Sequence, residues 1–507
     1  MAGQITIDVY SHFIKVQQNS PLGKTALMDY CRTLADYEWV KIDGRQQRVM
    51  KAVYAEAGAD RQTFRFHLHC YTDLIRHLSV YGFKDADIVM TLQPVPDPVP
   101  AALNMHTHLI ARDYQDPIIE YMTKPGHVKM VTLQTGKGKT FCALRTAANI
   151  GERTMLVIKG MYVEKWTKDV LDAYDIDKSD IIVIRGSKAL RDVIDYAKAG
   201  LLDCKFIICT NKTLYNYIDF YKQFGTAMPS YGCEPEELFE LLGVGVRMID
   251  EVHQDFHFNF RLDLYTNVRK TINLSATLEN NSPFMNRMYE IMFPLSMRAP
   301  MPEYDKYIAV KALYYGLRAP KRLRWQMRGR KSYSHITFEQ SILKQPDILK
   351  NYLSLIADVL LESYSCLREE GQKALIFAAS VDMCTVITEY LKKLFGHLNI
   401  MRYTAEDDFE VLSSADVIVS TLKSAGTAFD IDGLRTCIMT NASGSMQENI
   451  QALGRLRKLK NWPDVTPEFL YFVCQDISKH IDYHKQKVEM FRDKVASQKV
   501  YYLPNKI

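Results

Sequence analysis

Downstream of residue 127 the chain repeats one rhythm, a short apolar run followed by a helical pattern. HVKMVTL, TMLVIKG, DIIVIRG, KFIICT, VGVRMID and TINLSAT make a first series. KALIFAAS, NIMRYT, DVIVST, RTCIMTN and FLYFVC make a second. Apolar runs joined by helix-length crossovers predict parallel strands covered by helices. Two series predict two similar α/β domains. The length agrees, because 507 residues exceed a single core at about 100–200 residues per domain.

A smaller unit precedes them. QPVPDPVPAAL, from Gln93 to Leu103, carries prolines at alternate positions, which favours an extended linker and marks a boundary. Before it, ITIDVYSHFIKV reads as strand, TALMDYCRTLADY as helix and TFRFHLHCY as strand. In the last, Phe64, Phe66 and Leu68 alternate with Arg65, His67 and His69, which predicts one apolar face and one solvated basic face. A metal held by these histidines with His77 is the other reading. Between the two apolar series, Lys306 to Phe338 contains nine Lys or Arg and no acid, with Tyr314, Tyr315, Trp325 and Tyr333 interleaved.

Composition excludes several classes. A hydrophobic share of 47% and a charged share of 24% are those of a soluble globular protein. The net charge of +5 does not by itself imply a nucleic-acid partner. Ten cysteines without a Cys-x-x-Cys pair suggest neither a zinc site nor a disulfide frame, so reduced core thiols are expected. No uncharged run approaches the ~18 residues of a membrane span. The start, MAGQITIDVYSHF, lacks the shape of a signal peptide. A cytoplasmic monomer is expected.

Gly-Lys-Thr occurs twice, at Lys24 and at Lys139. A phosphate loop needs a strand, a Gly-rich turn and a helix, so that backbone N–H groups face the anion, a lysine reaches the phosphates and a Thr hydroxyl binds Mg²⁺. Around Lys139 all parts are present: VKMVTL, then Gly136 and Gly138, then Lys139-Thr140 and FCALRTAANI. Leu133 stands where the strict pattern has its first glycine. Around Lys24, Ser20-Pro21 reads as an ordinary helix cap. In VGVRMIDEVHQ an apolar strand ends in Asp250-Glu251-Val252-His253. An acid there can hold Mg²⁺ and the next can activate water. A solvated turn would account for the acids alone, but not for acids paired with the loop.

These motifs, with LSAT (274–277) and QALGRLRK (451–458) in that order, resemble superfamily 2 helicases and translocases. RDYQ (112–115) resembles the adenine-reading motif, LVIKGMYVEKW motif Ia, CTNKTL Ib, LIFAAS IV and STLKSAGTAFD V. The resemblance covers roughly residues 111–474 and implies two RecA-like parallel-sheet motor domains, with ATP and Mg²⁺ as cofactors. The implied division is an α/β (α+β) N-terminal DNA-binding domain over 1–93, a linker over 94–104, and motor domains over 105–300 and 301–507. The last would open on the basic segment 306–338 and end in a helical tail. A narrower likeness, to phage recombination helicases, rests on the N-terminal unit, the loop leucine and the basic segment.

The resemblance also implies roles. Arg112 and Gln115 would read adenine, and Thr135, Gly136, Lys137, Gly138, Lys139 and Thr140 would hold phosphates. Thr140 and Asp250 would hold Mg²⁺ and Glu251 would activate water. His253, Ser275 and Thr277 would couple hydrolysis to motion. Gln451 would position the water and its helix, and Arg455 and Arg457 would reach the γ-phosphate. Family spacing puts the second arginine where Lys458 stands, one residue after Arg457. Lysine lacks the planar fork. Lys159 with Gly160, Thr210, Thr213, Ser380, Thr421 and Ser424 would grip a nucleic-acid backbone, with Arg322 and Arg324 in the basic segment adding charge.

The expected activity is an ATP-dependent DNA helicase or translocase acting on single-stranded, duplex or branched DNA in replication, recombination or repair, without a membrane. The alternatives are an RNA helicase, a duplex translocase that separates no strands, and a nucleic-acid scaffold with a weak ATPase.

Overall fold

The structure is a computed structural model. It describes all residues except 1–2, 43–44, 59–60, 135, 281, 301–302, 328–331, 405–406, 408–409 and 426–430. Two compact units form. The first is Met1–Leu133 with Gly138–Leu278 and Ser282–Pro302; the second is Gln134–Lys137, Glu279–Asn281 and Glu303–Ile507.

The first unit holds a mixed five-stranded sheet near the N-terminus and a six-stranded parallel sheet. The parallel sheet contains Val128–Thr132, Thr154–Ile158, Ile181–Ile184, Phe206–Thr210, Val246–Ile249 and Lys270–Ser275, the first apolar series. Spatially these run third, fourth, second, fifth, sixth, first. Every pairing is parallel. The second unit holds a seven-stranded parallel sheet, which includes the second apolar series: Lys373–Ala378, Ile400–Tyr403, Val417–Thr421, Leu434–Met439 and Glu468–Cys474. The chain is α/β, with two RecA-like parallel-sheet domains and a smaller N-terminal sheet.

Several expectations change. ITIDVYSHFIKV is two strands, Ile5–Val9 and Phe13–Gln18, paired antiparallel. The turn at Tyr10-Ser11-His12 is closed by the Tyr10 amide donating to the Phe13 carbonyl, so no glycine or proline announces it. The helix Pro21–Thr33 stops before Leu34, and Ala35-Asp36-Tyr37 starts a strand. Ser20 caps that helix, its hydroxyl accepting from the Gly23 amide at 3.0 Å, as expected around Lys24.

The basic face of Thr63–His67 is not solvated. Arg65 and His67 are buried against the rest of the unit. Arg65 pairs with Glu236, and His67 Nε2 lies 3.2 Å from Asp263 Oδ2. Among the described residues no group of His, Cys, Asp and Glu is placed to hold a metal.

The basic segment is also reassigned. Ala309–Gly316 is an inner strand of the seven-stranded sheet, with Tyr315 buried. Tyr333 turns inward, its hydroxyl 2.6 Å from His335 Nδ1 and 2.5 Å from His480 Nε2. The expected helical tail is a helix, Ser478–Phe491, followed by an edge strand, Ser497–Lys506.

The proline-rich linker is extended and pinned along the first unit. Val99 N donates to Gly243 O at 3.0 Å and Ala101 N to Gly151 O at 2.9 Å. All ten cysteines are free thiols, nine of them buried. Among the described residues no helix is long and apolar enough to cross a membrane.

Candidate nucleotide site and nucleic-acid contacts

Parallel strands deliver their carboxyl ends to one edge, where α/β proteins place ligands. In the first unit that edge gathers the sequence-predicted groups. Val128–Thr132 leads into the glycine-rich turn, and the helix Lys139–Ile150 follows directly. Gly138 caps that helix with φ +79°, and a Cβ there would fall 2.5 Å from Gln115 Nε2. The positive φ favours glycine there, and Gln115 packs against the loop. Gln115 is buried, and its Oε1 accepts from the Arg112 amide at 2.9 Å. Gly136 also has positive φ, +88°. Thr135 lies outside the described residues. Lys137 groups with the second unit and pairs there with Asp305 at 2.6 Å.

Lys139 and Thr140 open the helix, so the lysine charge sits where the helix N–H groups also point. Lys139 Nζ is 2.9 Å from Glu251 Oε1. The strand Val246–Ile249 ends directly before Asp250, whose Oδ2 accepts from Trp166 Nε1 at 3.1 Å. Burial and the neighbouring Glu251 push the Asp250 carboxyl up, while Lys139, Lys165 and Trp166 oppose them. Glu251 has φ +49° and Asp255 +54°, two of the three described non-glycine residues with positive φ. Such backbone costs roughly 1–3 kcal/mol and concentrates at functional loops.

His253 continues the site. Its Nδ1 lies 2.7 Å from Ser275 Oγ and 3.3 Å from Glu251 Oε2. Burial lowers its pKa to about 4, so the ring is neutral at pH 7. The Ser275 hydroxyl donates to Thr277 O at 2.5 Å and accepts from Thr277 N at 3.1 Å. Strand pairing sets Ser275 beside Thr132. One chain of contacts thus runs from Lys139 through Glu251 and His253 to Ser275 and Thr277.

The track candidates also sit at strand ends. Ile158 pairs with Thr210, placing Lys159 and Gly160 beside it. Thr210 Oγ1 meets Thr213 Oγ1 at 2.7 Å, and Lys159 pairs with Asp255 at 3.4 Å. In the second unit Ala378 pairs with Thr421, bringing the loop of Ser380 beside it. Thr421 Oγ1 meets Ser424 Oγ at 2.9 Å, the same Thr-x-x-hydroxyl turn as in the first unit. Part of the expected motif V, residues 426–430, lies outside the described residues.

Ser380 is held from beneath by Glu339. That buried carboxylate accepts from Ala379 N at 2.8 Å, Ser380 N at 2.8 Å and Ser380 Oγ at 2.6 Å. Arg322 forks onto Asp347 at 2.7 and 2.8 Å and reaches Gln345 at 2.6 Å, so its charge is largely matched; Arg324 is exposed.

Gln451 lies on the helix Met446–Leu453, which ends at Gly454. Arg455 and Arg457 therefore follow the helix, where helical spacing no longer governs direction. Arg455 is buried and Arg457 half-buried, while Lys458, at the family position, is exposed. The shift of one residue thus falls in the loop after the helix.

Sequence reasoning missed two groups. Trp166 stands in the LVIKGMYVEKW stretch, and its partner Asp250 lies 84 residues away. Glu339 has no local signature at all.

Residues 353–460 match the family described as helicase conserved C-terminal domain. The matched segment contains Ser380, Thr421, Ser424, Gln451, Arg455 and Arg457. Among curated proteins, none matches the sequence. Three solved structures with a similar chain path illustrate the likeness. Mss116p bound to ssRNA and AMP-PNP is 16% identical, with a TM-score of 0.48 and 77% of each chain covered. The Hef helicase domain of Pyrococcus furiosus is 12% identical at 0.45, covering 74% of this chain and 98% of that one. A fragment of a putative HsdR subunit of a type I restriction enzyme from Vibrio vulnificus is 13% identical at 0.49, covering 96% and 84%. Likenesses at these values carry no argument about chemistry, which rests on the residues.

Proposed function

We propose that the chain is a superfamily 2 motor, an ATP-dependent DNA helicase or branch-remodelling translocase. The observation that carries this reading is the contact chain Lys139–Glu251–His253–Ser275, at the carboxyl ends of parallel strands and in a chain that also bears a helicase C-terminal domain. The residues fit a nucleotide. Gly138 turns the loop with a positive φ, Gln115 packs against it, and a lysine stands at a helix N-terminus.

In this reading Lys139 and the loop amides hold the phosphates. Thr140 and Asp250 hold Mg²⁺, which supplies charge neutralisation when bound. Glu251 takes the proton of the attacking water. Neutral His253 passes the state of Glu251 to Ser275 and Thr277. Arg455 and Arg457 supply positive charge to the transferred phosphoryl, which can be worth ~10³-fold or more. The narrower reading, a phage recombination helicase of the UvsW kind, is supported by the N-terminal sheet and by Leu133 in the loop.

The test is steady-state ATP hydrolysis alone and with single-stranded, duplex and branched DNA and RNA. Stimulation establishes a motor, and the best stimulator names its track. Lys139→Ala should abolish hydrolysis while DNA binding persists. Unchanged hydrolysis would sink the site assignment.

A further inference from the structure

A two-stranded ribbon, Ala35–Ile42 antiparallel to Arg45–Val53, stands apart from the five-stranded sheet. Its register pairs Trp39 with Arg48 and Tyr37 with Met50, so these side chains share one face. Trp39 is 69% exposed and Met50 55%, and the Arg48 guanidinium lies 4.1 Å over the Tyr37 ring. An indole left bare beside a methionine marks a contact surface.

Charge selects the occupant. Arg45–Val53 carries Arg45, Arg48 and Lys51, with Gln46 and Gln47 between them, and residues 45–51 are all exposed. The facing strand carries Asp36 and Glu38, and Asp36 pairs with Lys51 at 3.6 Å, so Arg45 and Arg48 are the cations argued for a ligand. Cations interleaved with an aromatic and with amides suit phosphates, base faces and base edges. A two-stranded ribbon also has the width that a duplex major groove admits.

The root of the ribbon adds an independent observation. Tyr54, next after the second strand, packs on Phe260 at 5.1 Å, Phe284 at 5.7 Å and Phe256 at 6.0 Å. His257 Nε2 lies 2.9 Å from Val53 O. Phe256–Asp263 is the helix that leaves the Asp250–Asp255 loop. The ribbon is therefore fixed to the helix that follows the loop of the candidate catalytic acids.

We infer that the ribbon is a nucleic-acid contact. Arg45 and Arg48 grip the phosphates of a duplex, and the Trp39 indole stacks on an unpaired base where the duplex opens. The inference rests on the reading of the chain as a nucleic-acid motor, and it extends that reading to residues no motif covers.

The test is fluorescence anisotropy of the full chain with a forked DNA duplex and with the same duplex lacking unpaired arms, across a salt series. Arg45→Ala with Arg48→Ala should lower the log–log salt slope by about 1.8 on both, at ~0.9 per phosphate. Trp39→Ala should weaken the fork roughly ten-fold and the blunt duplex little, and Trp39→Phe should restore most of the loss, because stacking needs a ring. If the wild-type protein binds neither DNA, the motor reading fails. If it binds the fork and the variants bind alike, the ribbon inference fails while the motor reading stands. An equal loss on both DNAs in Trp39→Ala would overturn the stacking role.

Discussion

At the residue scale, His253 ties protonation to the site. Burial holds its pKa near 4, and burial likewise holds His69 near 4 and His335 near 3. The unfolded chain takes these protons near pH 6.5, and the folded chain refuses them until far lower. Stability should therefore be complete above pH 6.5 and fall as pH drops toward 4. Thermal melts at pH 7.5, 6 and 5 check this, and His253→Gln should flatten part of the decline. A melting temperature independent of pH over that range would contradict the burial of these rings. The residues legible in the sequence were those whose chemistry is local. Lys139 follows its glycines and Glu251 follows Asp250, so spacing alone found them. Trp166 was not legible, because its role exists only once two strands and a helix bring it to Asp250.

At the scale of elements, apolar runs named most of the parallel strands, because a strand buried on both faces needs an unbroken apolar run. Ala309–Gly316 was hidden by counting charges across it. Its own sequence, AVKALYYG, is an apolar and aromatic run broken by a single lysine, which pairs with Glu468 at 2.5 Å. The fixing of Ser380 belongs to this scale too. Its helix, Val381–Leu394, starts at the Ser380 cap, and Glu339 on His335–Leu343 holds the two helices together through three hydrogen bonds. Burial pushes the Glu339 carboxyl up to about 7, against the pull of these donors. Glu339→Gln would turn an amide NH₂ toward N–H donors, so it should cost about 1–3 kcal/mol. A urea titration reads this as a lower midpoint at unchanged slope. An unshifted midpoint would mean that these hydrogen bonds contribute nothing net.

At the scale of the molecule, the N-terminal sheet is joined to its unit by buried charge. Arg247, on the central strand Val246–Ile249, pairs with Asp263, and its Nη1 lies 2.5 Å from Thr266 Oγ1. His67 reaches the same carboxylate, and His12 Nε2 lies 2.7 Å from Thr271 Oγ1. Burial alone would raise the Asp263 carboxyl, but Arg247 and His67 outweigh it and hold it well below the usual range. Around this centre, Lys15 and Arg65 meet Glu236, and Glu56 meets Lys222 and Arg261. The alternation of Arg65, His67 and His69 was visible in the sequence, but their partners lie far along the chain, so a docked face read as a wet one. A pair this buried is costly to break from one side, at about 3–5 kcal/mol, because the remaining charge loses its partner. Asp263→Asn should therefore lower the stability of the whole first unit by that order. Because one buried cluster runs through both sheets, the loss should appear as a single transition. Limited proteolysis at the proline-rich stretch tests the alternative. If Asp263→Asn released an intact N-terminal fragment while the six-stranded sheet stayed folded, the two sheets would be separate folding units that merely touch.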